Sequence, residues 1–251
     1  MLPKVAIICA NYNYGRYIVA AMNSIINQTY EGELRLYVVD DGSSDDSWDK
    51  ICGYVNSYSH PAEGQDKIYT KRIENSGASV ARNTAIEMCW DWADIIGVLD
   101  ADDEYKPRKV EKFVNKLIEY PEIGAVYGDY DIHKTYAGKS YTKEEFKPSY
   151  SREELLKNCI VHSNSLIKKE FLQSVRLPNG EFFDSRLHGP ASKGFIGCTE
   201  DYDLWLRISK VCIICHVPES LSIVNESGQN QSMKMTNDVF KQNAEILRSR
   251  F

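Results

Sequence analysis

Acidic residues directly follow two short apolar runs in this chain of 251 residues, in the segments VVDD and VLDADD. In an open sheet of parallel strands, the carboxyl ends of the strands meet at one edge, and ligands bind there. Carboxylates gathered at that edge repel one another, and a divalent cation with oxygen ligands, Mg²⁺ or Mn²⁺, is the usual compensation. The sequence therefore predicts a metal-binding crevice. The acids concerned are Asp40, Asp41, Asp100, Asp102 and Asp103.

Two further apolar runs end in uncharged polar residues that would face the same crevice. Asn11 and Tyr12 follow the first run, and Asn75 follows the third. Each acid taken singly has an ordinary alternative, because aspartate is common at helix N-caps and in turns. For one residue both interpretations stay open, whereas the complete set at successive strand ends favours a ligand site.

The spacing of apolar residues predicts the elements that position these side chains. Short apolar runs alternate with stretches in which apolar residues recur at three and four positions, a pattern typical of strand, helix, strand units with a largely parallel sheet. Pro107 suits the first turn of a helix, where proline is tolerated. We expect strands at 5–9, 34–39, 68–72, 95–99 and 124–127, and helices at 17–29, 46–58, 79–92 and from 107 onward.

The second half of the chain has a weaker pattern. Residues 130–150 lack a clear period and are interpreted as a loop or a short hairpin, and residues 178–199 as a substrate-facing loop. Ser151, with Glu154 three residues later, forms a capping box that predicts a helix start. Strands are expected at 161–167 and 211–217, with a helix at 201–209 between them. The whole pattern predicts the α/β class: an open, mostly parallel central sheet with helices on both faces.

Composition and charge exclude several other classes of protein. Hydrophobic residues make up 43% and charged residues 26%, which excludes a disordered, collagenous or coiled-coil chain. The formal net charge of −6 is not that of a nucleic-acid-binding protein, so we expect no DNA or RNA partner. The scattered, odd number of cysteines and the lack of a signal-peptide pattern predict a cytoplasmic location. We expect no transmembrane segment, and peripheral attachment at the inner face of the membrane stays open.

Five segments, taken in order, resemble the successive motifs of the family 2 glycosyltransferases, which have the GT-A fold. They are VAIICANYNYGRYIVAAMNSIINQTY, VVDDGSSDDS, NSGASVARNTAI, VLDADDEYKP and TEDYDLWLRI, and they extend over residues 4–210. Five segments in the family's order and spacing are specific for the superfamily, and not for a donor or an acceptor. The resemblance implies transfer of a sugar from a nucleotide sugar, usually of UDP, with inversion at the anomeric carbon.

The resemblance implies a donor site in the first half of the chain. Asp41 matches the acid that binds the nucleotide base, with Ala10 and Tyr12 beside it. Arg82 matches the basic residue near the donor's phosphates. The complete set of expected donor-binding residues is Ala10, Asn11, Tyr12, Asp41, Asn75, Arg82, Asp100, Ala101 and Asp102.

Catalytic roles are also implied by the resemblance. Asp100, Ala101 and Asp102 occupy the place of the family's DxD motif, with Asp102, beside Asp100, as the expected ligand of Mn²⁺ or Mg²⁺. Asp201 matches the general base, and Glu200 precedes it. A helix start is the ordinary alternative for this acidic pair, because acids favour the N-terminal end of the helix dipole.

The acceptor is expected in the second half. The resemblance implies a glycan or a lipid-linked acceptor in surface polysaccharide synthesis, and His162 and Trp205 are the candidate contacts. We expect a single domain over residues 1–251, in which 1–128 bind the nucleotide sugar and 129–251 hold the acceptor and the base.

One segment departs from the family pattern, and two rival functions stay open. Many members carry a histidine after the base, where this chain has Asn225 or Ser227, with Lys234 as a substitute nearby. A nucleotidyltransferase is one rival, although ANYNYG lacks the glycine-rich phosphate loop with a lysine that such an enzyme usually carries. A non-catalytic protein that binds nucleotide sugars or carbohydrate is the other.

Overall fold

The structure is a computed structural model that describes residues 1–58, 67–136, 139–187, 199–226, 245–247 and 249. Within these ranges the strands are β1 (Val5–Asn11), β2 (Leu34–Asp40), β3 (Ile68–Arg72), β4 (Ile95–Asp100), β5 (Glu104–Tyr105), β6 (Ile123–Tyr136), β7 (Lys139–Glu145), β8 (Leu166–Lys168) and β9 (Ile213–Glu226). The helices are α1 (Ile18–Ile26), α2 (Ser47–Tyr58), α3 (Ala78–Cys89), α4 (Lys109–Glu119), α5 (Arg152–Lys157), α6 (Lys169–Ser174) and α7 (Glu200–Ile208).

These strands form one sheet in the order β3-β2-β1-β4-β8-β6-β9-β5, with β7 paired to the outer part of β6. The four strands β3, β2, β1 and β4 are parallel to one another, and β6 is parallel to β9. The short strand β8 is antiparallel to both of its neighbours, β4 and β6. The predicted α/β class with an open, mostly parallel sheet is confirmed.

The central strands are apolar on both faces because a separate core covers each face. Successive side chains of a strand point to opposite faces. Ala6 and Ile8 accordingly pack against α3 and α7, whereas Val5 and Ile7 pack against α1 and α4. The helices therefore lie on both sides of the sheet, as predicted, and the polar strand ends are left at its carboxyl edge.

The first half follows the sequence prediction closely, and the second half departs from it. The strand expected at 124–127 is longer and continues to Tyr136, where it pairs with β7, so residues 130–136 and 139–145 form a hairpin, one of the two interpretations of this segment. The strand expected at 161–167 is wrong except at its end, because only 166–168 pairs with neighbouring strands. The residues before it form a turn whose side chains hydrogen-bond to the end of β4.

The helix start predicted at Ser151 is confirmed, since the Ser151 hydroxyl accepts the backbone N–H of Glu154 at 3.0 Å at the start of α5. The last strand, β9, is longer than expected and ends at Glu226. No helix in the described ranges is long and apolar enough to cross a membrane.

Candidate active site

Asp40 fixes the carboxyl end of β2. Its buried carboxylate accepts hydrogen bonds from the side-chain amide of Asn11 at 2.8 Å and from the hydroxyl of Ser43 at 2.5 Å. Arg72 Nε lies 3.3 Å from the other carboxylate oxygen. Asp40 therefore has the turn-forming role that was the ordinary alternative for a single acid. Asn11, an expected donor contact, directs its amide nitrogen into the same buried cluster.

Asp41, one residue further, connects β2 to the start of α3. Its two carboxylate oxygens accept the backbone N–H groups of Ser76 and Gly77 at 2.8 and 2.9 Å. The side-chain amide of Asn75 donates to the backbone carbonyl of Asp41 at 3.1 Å. Gly42 has φ +68°, and a Cβ there would meet the backbone nitrogen of Asn75 at 2.8 Å, so only glycine suits this turn. The loops after β2 and β3 are thus held together where the nucleotide base is expected.

The loop after β1 joins the same rim. Asn13 has φ 60°, and its side-chain oxygen accepts the backbone N–H of Ser44 at 2.8 Å. The neighbouring Tyr12 is 43% exposed, so its ring is accessible to a ligand. Ala10 is half-buried and Ala101 is buried. The expected donor residues therefore lie at the ends of adjacent strands, as the sheet geometry requires.

Arg82 links the two acidic parts of the site. From α3 it places Nη2 2.9 Å from Asp100 Oδ1 and Nη1 2.6 Å from Glu200 Oε1, and its side chain is only 12% exposed. Burial alone would lower the pKa of this guanidinium, but Asp100 and Glu200 outweigh burial and raise it. One permanently charged group therefore bridges the DxD segment and the start of α7, which are distant in the sequence.

Two asparagines hold the acidic turn from Asp100 to Asp103. Asn164 accepts the backbone N–H of Asp100 at 3.1 Å and donates to the carboxylate of Asp103 at 2.6 Å. Asn225 donates its side-chain amide to the carbonyl of Asp102 at 2.7 Å, and its backbone N–H to Asp103 at 3.2 Å. The end of β9 and the turn before β8 thus fix the shape of the DxD segment.

The chemistry of this turn suits a divalent cation. Burial, Asp100 and Asp102 raise the pKa of Asp103 well above its usual value, which is the repulsion that a bound cation relieves. Asp100 already binds Arg82 and the hydroxyl of Ser163, so Asp102 is the better candidate ligand. Among the described residues, no three His, Cys, Asp or Glu side chains come together in a metal-binding arrangement. Further oxygen ligands would have to come from elsewhere, such as a donor's phosphates.

The structure describes only the first part of the segment that departs from the family pattern. Asn225 belongs to β9 and binds the acidic turn, as described above. The other positions considered there, Ser227 and Lys234, lie outside the described residues.

Asp201 lies in the first turn of α7, directly after Glu200. Its Oδ1 accepts the backbone N–H of Tyr202 at 2.7 Å. Burial, and then the charge of Glu200, raise the pKa of Asp201 to about 7, although Arg82 opposes this shift. A carboxyl group with a pKa near neutrality can take up a proton and release it again, as a general base must.

The two candidate acceptor contacts have different surroundings. The His162 ring lies 4.7 Å from that of Tyr130, and its Nδ1 accepts the backbone N–H of Asn164 at 3.1 Å. Burial lowers the pKa of His162 to about 3 in spite of Asp100, so the ring is neutral near pH 7. Trp205 is 1% exposed and packs in the core between α7 and the sheet, which makes it a core side chain rather than a platform for a sugar.

Sequence reasoning missed Asn164 and the buried Lys109. Lys109 Nζ donates to the backbone carbonyl of Asn164 at 2.7 Å and to the hydroxyl of Ser222, and it lies 4.0 Å from the ring centroid of Tyr105. Burial lowers the pKa of Lys109 to about 7. The polar interruption SNS in the apolar stretch 159–167 was the available sign of a functional turn. The lysine gave no comparable sign, because it begins an ordinary amphipathic helix.

Parallel strands that end at a common acidic edge, with helices on both faces and a mixed extension beyond β4, form the GT-A architecture. The model of the family described as "Glycosyl transferase family 2" matches residues 6–176, and the chain belongs to this family.

Curated relatives of known name are glycosyltransferases. The chain is 30% identical over 208 residues to the UDP-Glc:alpha-D-GlcNAc-diphosphoundecaprenol beta-1,3-glucosyltransferase WfgD of Escherichia coli, a match that covers 82% of this chain and 70% of that protein. It is 27% identical over 248 residues to the chondroitin synthase of Escherichia coli, covering 96% of this chain and 32% of that protein. The chain thus spans about a third of the length of several relatives that it matches.

Solved structures with this fold include complexes with nucleotides. TarS 1-349 of S. aureus in complex with UDP superposes with a TM-score of 0.67 at 16% identity, covering 98% of this chain and 64% of that chain. The mannosyltransferase PcManGT of Pyrobaculum calidifontis, in complex with GDP-Man and Mn2+, gives a TM-score of 0.65 at 16% identity and covers 98% of this chain and 69% of that chain. At this identity the likeness concerns the fold.

Proposed function

We propose that this chain is a metal-dependent, inverting glycosyltransferase that moves a sugar from a nucleotide sugar to a hydroxyl of a glycan or lipid-linked acceptor. The observation that carries the proposal is the position and state of Asp201. This carboxyl, with a pKa raised to about 7, follows Glu200, which Arg82 connects to Asp100 of the DxD segment. The proposed base and the proposed donor-binding turn thus lie in one crevice.

The proposed reaction is a direct displacement. Asp201 accepts the proton of the acceptor hydroxyl while that oxygen attacks the anomeric carbon from the side opposite the leaving nucleotide. One displacement inverts the configuration, and no covalent intermediate on the protein is required. In this reaction, the positive charge of Arg82 would stabilise the negative charge of the departing diphosphate.

The donor would lie along the carboxyl ends of β1, β2 and β4. Asp41 and Tyr12 are the proposed contacts of the base, with Ala10, Asn11 and Asn75 in the surrounding loops. Asp102, with Asp100 and Ala101 in the same turn, would hold Mn²⁺ or Mg²⁺. When bound, such an ion supplies Lewis-acid stabilisation of the diphosphate.

The identity of the nucleotide is part of the proposal, with UDP as the first choice. The names of WfgD and of the TarS complex both include UDP, whereas PcManGT was solved with GDP-Man. A role in surface polysaccharide synthesis follows only by analogy with such relatives. We also propose that 1–128 and 129–251 act as donor and acceptor halves of a single domain.

Calorimetric titration with UDP, GDP, TDP and CDP, each with and without Mn²⁺, tests the donor site. We expect UDP to bind most tightly and to lose at least tenfold in affinity without the metal. Asp102→Ala should remove this difference, while Asp49→Asn, at an exposed position on α2, should leave it unchanged. If no nucleotide binds, the chain does not have the proposed activity. Equal binding with and without Mn²⁺ would discard the metal site.

A further inference from the structure

Lys147 lies at the acceptor side of the crevice, in the segment between β7 and α5. Its backbone N–H donates to the carboxylate of Asp129 at 2.7 Å, which fixes the chain directly after the hairpin. Its ammonium nitrogen lies 5.2 Å from the ring centroid of Tyr130, on β6. The side chain is half-buried. A cation is thus held over an aromatic ring at the base of the hairpin.

Three other lysines around this hairpin bind an acid. Lys106 Nζ lies 2.8 Å from Asp131, Lys134 Nζ lies 2.6 Å from Glu226, and Lys143 Nζ lies 3.0 Å from Glu145. In the part of the chain that the structure describes, the ammonium of Lys147 has no such carboxylate partner. The carboxylate of Asp129 accepts the backbone N–H of Lys147, and it also lies 2.8 Å from Nε2 of His216.

A series of contacts connects Lys147 to Asp100 of the DxD segment. The ring of Tyr130 contacts that of His162, whose neighbour Ser163 hydrogen-bonds to Asp100. Because Nδ1 of the neutral His162 accepts a backbone N–H, the ring carries its proton on Nε2 and can donate it to a ligand.

The charge of Lys147 also acts on two groups of this region. Burial lowers the pKa of His162 and raises that of Cys159; the charge of Lys147 lowers both, whereas Asp100 raises the pKa of His162 and Asp201 raises that of Cys159. His162 and Cys159 are therefore close enough to interact electrostatically both with Lys147 and with an acid of the site.

We propose that Lys147, with Tyr130 and His162, forms an acceptor subsite that binds an anionic oxygen group, a phosphate or a carboxylate, carried by the acceptor next to its reacting sugar. The subsite rests on the proposed function, since it adds the chemical class of the acceptor to the transfer at Asp201. The acids of the crevice repel a negatively charged acceptor. The ammonium group of the half-buried Lys147, which has no carboxylate partner among the described residues, offsets that repulsion and donates charge-assisted hydrogen bonds to the anion.

Binding of small acceptor probes tests this subsite. With the donor site saturated by UDP and the diamagnetic ion Mg²⁺, ligand-observed NMR titrations would compare α-D-glucose 1-phosphate, methyl β-D-glucuronide and the neutral methyl β-D-glucoside. We expect at least one charged probe to bind about tenfold more tightly than the neutral one, the effect of one charge-assisted hydrogen bond. The preferred charged probe distinguishes a phosphate-bearing acceptor from one that contains a uronic acid.

Three variants assign the preference to Lys147. Lys147→Met should abolish the preference and Lys147→Arg should keep most of it. Lys143→Met removes the same charge from an exposed position of the hairpin and should have no effect. The affinity for UDP should stay unchanged in all three, which also verifies that they fold. Equal binding of charged and neutral probes by the wild type, or an equal loss in Lys143→Met, would overturn the subsite. If UDP itself does not bind, the proposed function fails, and the subsite with it.

Discussion

Two pairs of adjacent acids, Asp40–Asp41 and Glu200–Asp201, lie at the same edge of the sheet. They differ in the hydrogen-bond donors and positive charges that compensate them. Asp40 and Asp41 accept hydrogen bonds from side chains and from backbone N–H groups that form part of fixed turns. Glu200 and Asp201 share the charge of Arg82, which Asp100 also binds, and the pKa of Asp201 is raised to about 7. The first pair is well compensated, and the second is not.

The difference separates acids that shape a site from acids that can react in it. A carboxylate with several N–H and O–H donors is stable as an anion and holds its loop in place. A buried carboxyl beside another acid is close to taking up a proton, and such groups are concentrated at catalytic sites. We therefore assign loop geometry to the pair after β2 and proton transfer to the pair at the start of α7.

The largest expected effect belongs to Asp201→Asn. Since the amide cannot accept the proton of the acceptor hydroxyl, we expect transfer to fall by roughly 10²- to 10⁴-fold, the usual contribution of a general base. The affinity for UDP should stay within about twofold of the wild type, because Asp201 contacts the acceptor and not the nucleotide in the proposed mechanism. Transfer rates with UDP-sugars and calorimetry with UDP measure the two quantities separately.

Asp49→Asn is the matched control for this variant, since it makes the same chemical change at an exposed position on α2. It should transfer at the wild-type rate. Activity of Asp201→Asn close to that of the control would mean that the base is another residue.

The next largest effect is on stability, and it concerns the arginine that binds each acidic pair, Arg72 at Asp40 and Arg82 at Glu200. Arg82→Met leaves Asp100 and the buried Glu200 without their common cation, so we expect a loss of about 3–5 kcal/mol in the free energy of unfolding. Arg72→Met removes the partner of Asp40 from a half-exposed position and leaves the hydrogen bonds from Asn11 and Ser43 in place, so its cost should be about 1 kcal/mol or less.

Denaturant unfolding of both arginine variants measures this difference. In the double variant Arg82→Met/Glu200→Gln, part of the lost stability should return, because one buried charge is removed together with its partner. Similar costs for Arg72→Met and Arg82→Met would contradict the distinction between the two pairs.

The parallel half of the fold could be predicted from the sequence because local patterns determine it. Strands buried on both faces are continuous apolar runs, and the helices between them show their period directly. The hairpin of β6 and β7 was harder to predict from the sequence. Its residues are largely polar and exposed, and its pairing is set by contacts between distant positions. The strand expected at 161–167 failed for a related reason, since Ser163 and Asn164 bind the end of β4 instead of continuing a ladder.

The positions and partners of the site residues were predicted less evenly than the fold. Motif order placed Arg82, Asp100 and Asp201 in one crevice, and the structure brings them together. Motif order alone could not distinguish a compensated acid from an uncompensated one, because that depends on three-dimensional partners. Trp205 shows the same limit, since helical spacing from Asp201 did not reveal that its ring faces the core.

The smallest expected effect is a difference in the pH dependence of stability. Because the pKa of Asp201 is raised from 3.8 to about 7, the folded state binds more protons than the unfolded state between these values. Its burial therefore destabilises the wild type progressively as the pH rises from about 4 to 7. The Asp201→Asn variant has no charge to bury at this position. Without nucleotide or metal, its free energy of unfolding should match that of the wild type near pH 4 and exceed it by about 2 kcal/mol at pH 8.

Asp41→Asn should move stability in the opposite direction at pH 8. In the wild type, each carboxylate oxygen of Asp41 accepts one backbone N–H, from Ser76 and from Gly77. The asparagine side chain has only one oxygen, and its amide nitrogen cannot accept the second N–H. One partly buried donor then loses its partner, at a cost of about 1 kcal/mol. Urea unfolding of both variants and the wild type at pH 5 and pH 8 provides the comparison. If both substitutions destabilise the protein at pH 8, Asp201 is as well compensated as Asp41, and the structural basis for its role as a base is lost.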